Sequence, residues 1–190
     1  MIRLGLAICG SFCTFDALLP VVTELTETYE ITPILSPAAA DTDTRFGLAD
    51  RFRREVREIC GHDPILTLEE AEPIGPRGLF DVLAVAPCTG NTLAKLAAGI
   101  ADTSVTFACK AHLRNARPMV LAVSTNDGLA AAAANLGLLL NRKNYYFVPF
   151  RQDDPVGKPA SLVADFALLG ETIEAALGGR QLQPLLLPPG

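Results

Sequence analysis

Tryptophan is absent from this 190-residue chain, and histidine and methionine occur only twice each. The missing tryptophan excludes little. The two histidines, His62 and His112, exclude more. The five cysteines form no C-x-x-C pair, so with these histidines no zinc pattern arises and no metal is expected. An odd number of thiols reads as reduced, mostly buried cysteine. Cys88 stands apart because of the loop it sits in; a nucleophilic thiol there needs a base nearby in space. Positive charge is also scarce, with 16 Lys and Arg against 21 Asp and Glu and no basic stripe. Nucleic acid is therefore not expected as a partner. No apolar run is long enough to cross a bilayer; residues 129–140 come nearest and fall short. The apolar start is too short for a secretory signal and lacks a cleavage site. A soluble cytoplasmic protein away from membranes is expected. Neither G-x-G-x-x-G nor G-x-x-x-x-G-K-[ST] occurs, and no internal repeat is visible.

What is present is a large apolar fraction, 49% of residues, with 19% charged. That suits one sizeable core, here residues 1–180, followed by an extended tail, 181–190. The tail is apolar and proline-rich, and is expected outside the core, over a neighbour. Apolar runs at 2–8, 31–35, 82–86, 118–124 and 145–149 read as buried strands. Helical spacing is found at 16–28, 46–60, 93–98, 104–115, 129–140 and 161–177, with a short helix at 68–71. Residues 36–46, 73–76 and 151–159 read as loops. Alternating strands and helices predict an α/β fold: a three-layer doubly wound sandwich of about five parallel strands, Rossmann-like or flavodoxin-like.

The stretch 79–102 is the centre of this organisation. An apolar run stops at Pro87, and the polar Cys88-Thr89-Gly90-Asn91-Thr92 leads into a helix. Ligands of open parallel sheets lie beyond the carboxyl ends of strands, where such loops gather. Similar loops follow the other strands: Gly10-Ser11 to Thr14, the segment from Ser36 to Arg45, and Thr125-Asn126-Asp127-Gly128. The first is an anion site at a helix start, suited to a mononucleotide phosphate. Each loop alone also reads as an ordinary turn, the safer reading for the first, with Asn91, Thr92 or Asn126 as a helix cap. Their convergence predicts a hollow shared by Ser11, Asn91 and Asn126.

Read together, Gly10-Ser11 and the run from Pro87-Cys88-Thr89-Gly90-Asn91-Thr92 through Leu93-Ala94-Lys95 to Gly99 and Asp102 resemble the flavin-binding flavoproteins that include the cysteine decarboxylases. The resemblance implies FMN, with Gly10, Ser11, Thr14, Ser36, Thr89, Gly90, Asn91, Thr92 and Asn126 as its contacts. Residues 70–77 lack the histidine of the decarboxylases, and Val123-Ser124-Thr125-Asn126 keeps only the Asn of their substrate loop. Both departures speak against decarboxylation. Further segments, among them Thr42-Asp43-Thr44-Arg45-Phe46-Gly47 and Asn141-Arg142-Lys143-Asn144, look like the B-subunit family of dipicolinate synthases. That resemblance implies a homo-oligomer working with the synthase's A-type partner, which carries a nicotinamide dinucleotide. The pair would oxidise a dihydrodipicolinate-type compound during sporulation.

Such an oxidation needs an electron acceptor that side chains cannot supply. A dicarboxylate substrate wants cations. Arg45, Lys110, Arg114, Arg142 and Lys143 are candidates, with Arg45, Arg142 and Asn126 placed on the substrate. The alternatives are a flavin-dependent decarboxylase or transferase of the same family, and a non-catalytic assembly subunit.

Overall fold

Uninterrupted apolar runs bounded by turn residues form the centre of the sheet in the computed structural model, which describes residues 1–189. In chain order the elements begin with β1 (Ile2–Ile8), a single 3-10 turn (Phe12–Thr14), α1 (Phe15–Leu25), β2 (Tyr29–Leu35), α2 (Pro37–Asp41), α3 (Ala49–Cys60), α4 (Leu68–Ala71) and α5 (Ile74–Arg77). Next come β3 (Val82–Cys88), α6 (Gly90–Ala98), α7 (Ser104–Leu113), β4 (Met119–Thr125) and α8 (Ala133–Leu140). The chain continues with β5 (Tyr145–Phe147), β6 (Phe150–Arg151), β7 (Leu162–Ala164), a 3-10 turn (Phe166–Leu168) and α9 (Leu169–Leu177).

Five strands run parallel in the order β2-β1-β3-β4-β5. The order reverses direction between β1 and β3, the point where open sheets of this type bind ligands. Every residue of β3 is buried, as is β4 up to its last residue. Burial on both faces explains why these strands carry continuous apolar runs instead of alternation. One layer holds α1 and α9, which meet where Leu25 lies against Gly170. The other holds α4, α5, α6, α7 and α8, with α3 flanking the edge strand β2.

Several sequence expectations are corrected. The sheet is mixed. Beyond the five parallel strands, β7 pairs antiparallel with the end of β4 (Ser124 opposite Val163, Thr125 opposite Leu162), and β6 pairs with β7. This is possible because β5 covers only Met119 to Leu121 of β4. The helix expected at 161–177 therefore begins at α9; pairing with β4 overrides the helical spacing of its first residues. The helix expected at 129–140 begins at Ala133. The Leu129 amide donates to the Ala160 carbonyl, and Leu162 packs on Gly128, which holds residues 126–132 as turns. The 36–46 loop contains α2, and 73–76 overlaps α5. α3 starts at Ala49, leaving Phe46 52% exposed. β3 continues through Pro87 to Cys88, its register slipping against β4 between Val85 and Cys88.

The C-terminal residues pack on their own chain. Gln181 brackets Phe147, accepting from its amide (2.8 Å) and donating to its carbonyl (2.7 Å), as a neighbouring strand would. The Phe150 amide donates to Leu185 O and the Leu187 amide to Phe150 O, both at 3.0 Å.

At the amino ends of the strands, Asp81 binds Arg3 through its amide (2.9 Å) and its guanidinium (2.8 Å), and Arg117 reaches the same carboxylate. Arg3 holds the Asp81 carboxyl below the usual range. Nearby, His112 is buried, with Nε2 2.9 Å from Pro118 O. The partner is a carbonyl, so Nε2 carries the proton. Burial pushes the His112 pKa down, the Pro118 carbonyl opposing it. Below about pH 6.5 the unfolded chain takes up a proton here that the native state refuses, so stability falls with acidification. Thermal unfolding from pH 7.5 to 5 should show this loss. His112→Gln, which keeps a donor to Pro118, should flatten that part of the slope; an unchanged slope would show that His112 is not its source.

Candidate functional site

Three helices open onto one cavity at the carboxyl ends of β1, β2 and β3. Each begins with a hydroxyl residue that caps its free amides. Ser36 Oγ accepts from Ala39 N at the start of α2 (3.2 Å). Thr89 Oγ1 accepts from Thr92 N at the start of α6 (3.4 Å). Thr103 Oγ1 accepts from Thr106 N at the start of α7 (3.2 Å), and Thr106 Oγ1 accepts from Thr103 N (3.0 Å). All three caps line the cavity, with Gly10, Asn91, Thr92 and Lys95. Its volume is about 370 Å³, toward the lower end of the roughly 300–1,000 Å³ of small-molecule sites.

The amino ends of α6 and α7 bring partial positive charge and unpaired amides to this space. Lys95 adds a full charge, held by Asp102 at 2.8 and 2.9 Å. Lys95 depresses the Asp102 carboxyl, chiefly by hydrogen bonding. The arrangement suits a phosphate-sized anion joined to a hydroxylated chain. It offers little acid–base chemistry. Cys9 also lines the cavity, but burial pushes its thiol up to about 11, with Sγ 3.2 Å from Thr92 Oγ1. Neither histidine lines it: His112 is at Pro118, and His62 is exposed near Glu30. Among the described residues no cluster suited to a metal ion occurs.

The structure gathers Gly10, Ser36, Thr89, Asn91 and Thr92 around one cavity. Of the expected trio Ser11, Asn91 and Asn126, only Asn91 lines this cavity. Ser11 turns to β4, its Oγ 3.0 Å from Ser124 Oγ, and Thr14 donates back to Ser11 O. Asn126 is exposed and caps no helix. Gly90 lies beneath the loop after β4; a Cβ there would come within 2.6 Å of Thr125 Oγ1 and 2.8 Å of Asp127 Oδ1. Its role is to let that loop close onto α6.

Arg45 is exposed, its guanidinium 4.8 Å above the Phe46 ring. Phe46 walls a separate, aromatic cavity of about 160 Å³ with Phe12, Phe15 and Phe52. Arg142 is at the far end of α6, donating to Leu96 O (3.2 Å) and Ala97 O (2.9 Å). Lys95 and Thr103 are not among the contacts expected from sequence. The Lys95–Asp102 spacing inside the long motif is a signal for the first. The cap pattern Thr103-x-x-Thr106 is a signal for the second.

A parallel sheet reversing between β1 and β3, with a hydroxyl-lined cavity at that point, defines a doubly wound, Rossmann-like α/β protein. The chain belongs to the Flavoprotein family, whose model matches residues 1–145. The dipicolinate synthase B subunit of Bacillus subtilis (strain 168) is 42% identical over 186 residues, which are 97% of this chain and 93% of that protein. The crystal structure of the dipicolinate synthase B subunit from Bacillus halodurans C superposes with a TM-score of 0.91 at 39% identity, covering 100% of this chain and 97% of that one. The FMN-dependent cysteine decarboxylase SpaF gives a TM-score of 0.70 at 25% identity, over 94% of this chain and 98% of its own.

Cys88 is not an activated nucleophile. It is fully buried, and burial pushes its thiol well above the usual range. Cys13 is the one exposed cysteine. Titration of the native protein with an aromatic disulfide reagent should release one fast equivalent, lost in Cys13→Ser, with all five thiols reacting after denaturation. A fast equivalent from Cys88 would contradict its placement.

Proposed function

We propose that this chain is an FMN-binding B-type subunit of a dipicolinate synthase. It acts in the cytoplasm of sporulating cells, as a homo-oligomer with a second subunit of the A type. Together they oxidise a dihydrodipicolinate-type dicarboxylate to dipicolinate. The observation that carries the cofactor reading is the meeting of the α6 and α7 amino ends with Lys95 around one cavity. Ser36, Thr89, Asn91 and Thr92, with the amides of those helix starts, would hold the phosphate and its hydroxylated chain. Lys95 would offset the phosphate charge, leaving Asp102 to fix its position.

Turning a dihydropyridine into a pyridine removes two electrons and two protons. A bound flavin supplies the electron acceptor. The chain's own residues bind and orient. No group on the cavity wall is poised to exchange a proton near neutrality: Cys9 stays a thiol, and Lys95 is paired with Asp102. Proton removal would then fall to the second subunit, where a nicotinamide dinucleotide would also sit. The same lack of a base weighs against a decarboxylase or transferase. It also favours a second reading, a protein kept for assembly alone.

Titration of the purified chain with FMN should quench flavin fluorescence and shift the visible spectrum. Asn91→Ala and Lys95→Met should each weaken binding about tenfold, the loss typical of one hydrogen bond to a charged group. Absence of any flavin binding would remove the cofactor reading. Paired with its A-type partner, the complex should bleach at the flavin bands when substrate is added anaerobically. An Asn91→Ala chain that assembles normally yet leaves the pair fully active would favour the assembly reading.

A further inference from the structure

Charge is sorted between the two helical layers. α7 and α8 carry no acidic residue. The cations in or just past their last turns are Lys110, Arg114, Arg142 and Lys143, and among the described residues none has a carboxylate partner. Lys110, Arg114 and Arg142 stand around one depression, so these charges share a surface. In the same layer Leu138 and Leu140 of α8 are exposed. The opposite layer is the reverse: α1 and α9 carry no cation. Glu24, Glu171 and Glu174, with Glu27 just past α1, are exposed and belong to none of the ion pairs among the described residues. Leu25 lies against Gly170, which sets Glu24 and Glu171 side by side across the two helices. Burial, and then the charge of Glu174, raise the pKa of Tyr29, so Glu174 reaches toward the end of α1 as well.

Elsewhere the chain neutralises its own charges. On α3, Asp50 meets both Arg53 and Arg54, Arg53 also meets Asp41, and Arg57 meets Asp63. Asp81 holds Arg3 and Arg117. The two outer faces are left with like charges as neighbours instead: Lys110 and Arg114 one turn apart, Glu171 and Glu174 one turn apart. Helix dipoles account for the cations, which suit the negative end of α7 and cover Leu96 O and Ala97 O at the end of α6. They do not account for the acids. Glu24 and Glu174 sit in the last turns of α1 and α9, where the dipole opposes negative charge and no basic residue answers it. Compensation for that face has to come from outside the chain's own fold.

We propose that the cationic α7/α8 face of one copy of this chain docks on the acidic α1/α9 face of a second copy. The occupant is a second copy because the complementary surface is present on the chain itself, unpaired and of opposite sign. Such a contact uses two different patches, so each added copy leaves one patch free. Assembly therefore continues past two subunits, into a ring if the rotation closes and a row if it does not. The inference rests on the homo-oligomer within the proposed function and on no other part of it, and it supplies the surface. None of these charged residues lines the hydroxyl-lined cavity, so the contact does not depend on a bound flavin.

The test is analytical sedimentation of the purified full chain, as wild type and with faces reversed in charge. The wild type should form assemblies larger than a dimer that dissociate as salt rises from about 0.05 to about 0.5 M. Lys110→Glu with Arg114→Glu should weaken self-association about a hundredfold, and so should Glu171→Lys with Glu174→Lys, because each sets like charges against one another. The milder Lys110→Gln with Arg114→Gln should weaken it about tenfold. Mixing the two reversed variants should restore assembly, since one then carries two acidic faces and the other two cationic faces. All four positions are exposed, and unchanged thermal unfolding would verify the fold. Assemblies that ignore the substitutions, a dimer indifferent to salt, or a mixture without rescue would overturn this surface while leaving a homo-oligomer in place. A wild-type chain that stays monomeric at every salt and concentration would remove the homo-oligomer too, and the FMN titration would still decide the cofactor reading separately.

Discussion

The burial of β3 on both faces is the constraint from which the rest of this structure follows. A strand with no solvent face must have a strand on each side and a helical layer above and below. β1 and β4 supply the strands, and the helices between them supply the layers. Because β1, β2 and β3 are parallel, their carboxyl ends fall on one edge. The chain must there leave the sheet and start helices whose first amides have no partner. Ser36, Thr89 and Thr103 satisfy some of those amides and line the cavity. The hydroxyl-lined cavity is thus a consequence of parallel pairing, not an addition to it.

The charges are arranged to the same end. At the amino edge of the sheet, Asp81 ties Arg3 and Arg117 together and locks the start of β1 to β3. At the carboxyl edge, charge is sparse, and the single lysine is held by Asp102. The thiols of Cys9, Cys88 and Cys109 are buried around β1, β3 and α7, and burial raises all three. The core there behaves as apolar packing. The cavity wall itself contributes little reactive chemistry, since Cys9 stays a thiol and Lys95 is paired with Asp102.

Helix α6 is closed at both ends. Its amino end, capped by Thr89, faces the hydroxyl-lined cavity, and its carboxyl end is closed by Gly99 and covered by Arg142. The positive end of its dipole therefore lies at the cavity. The loop after β4, pressed onto Gly90, and the short strand β7 behind it complete the frame on that side.

The sequence by itself determined the layering, because residues such as Val82 to Ala86 and Val120 to Val123 can be satisfied only inside a doubly covered sheet. It also determined the cavity's near wall, since Gly10, Ser36 and Thr89 come just after strands and Asn91 and Thr92 lie in the helix turn that follows, and strand order brings such positions together. Only the tertiary structure decided what lies farther along each loop. Asn126 faces out because Ala160 and Leu162 hold the 126–132 turns in place, and β6 and β7 are too short to carry a periodic signal. Arg142 reaches Leu96 O and Ala97 O because α8 packs beside α6. Periodicity describes one element at a time, whereas these positions are set by contacts between elements distant along the chain.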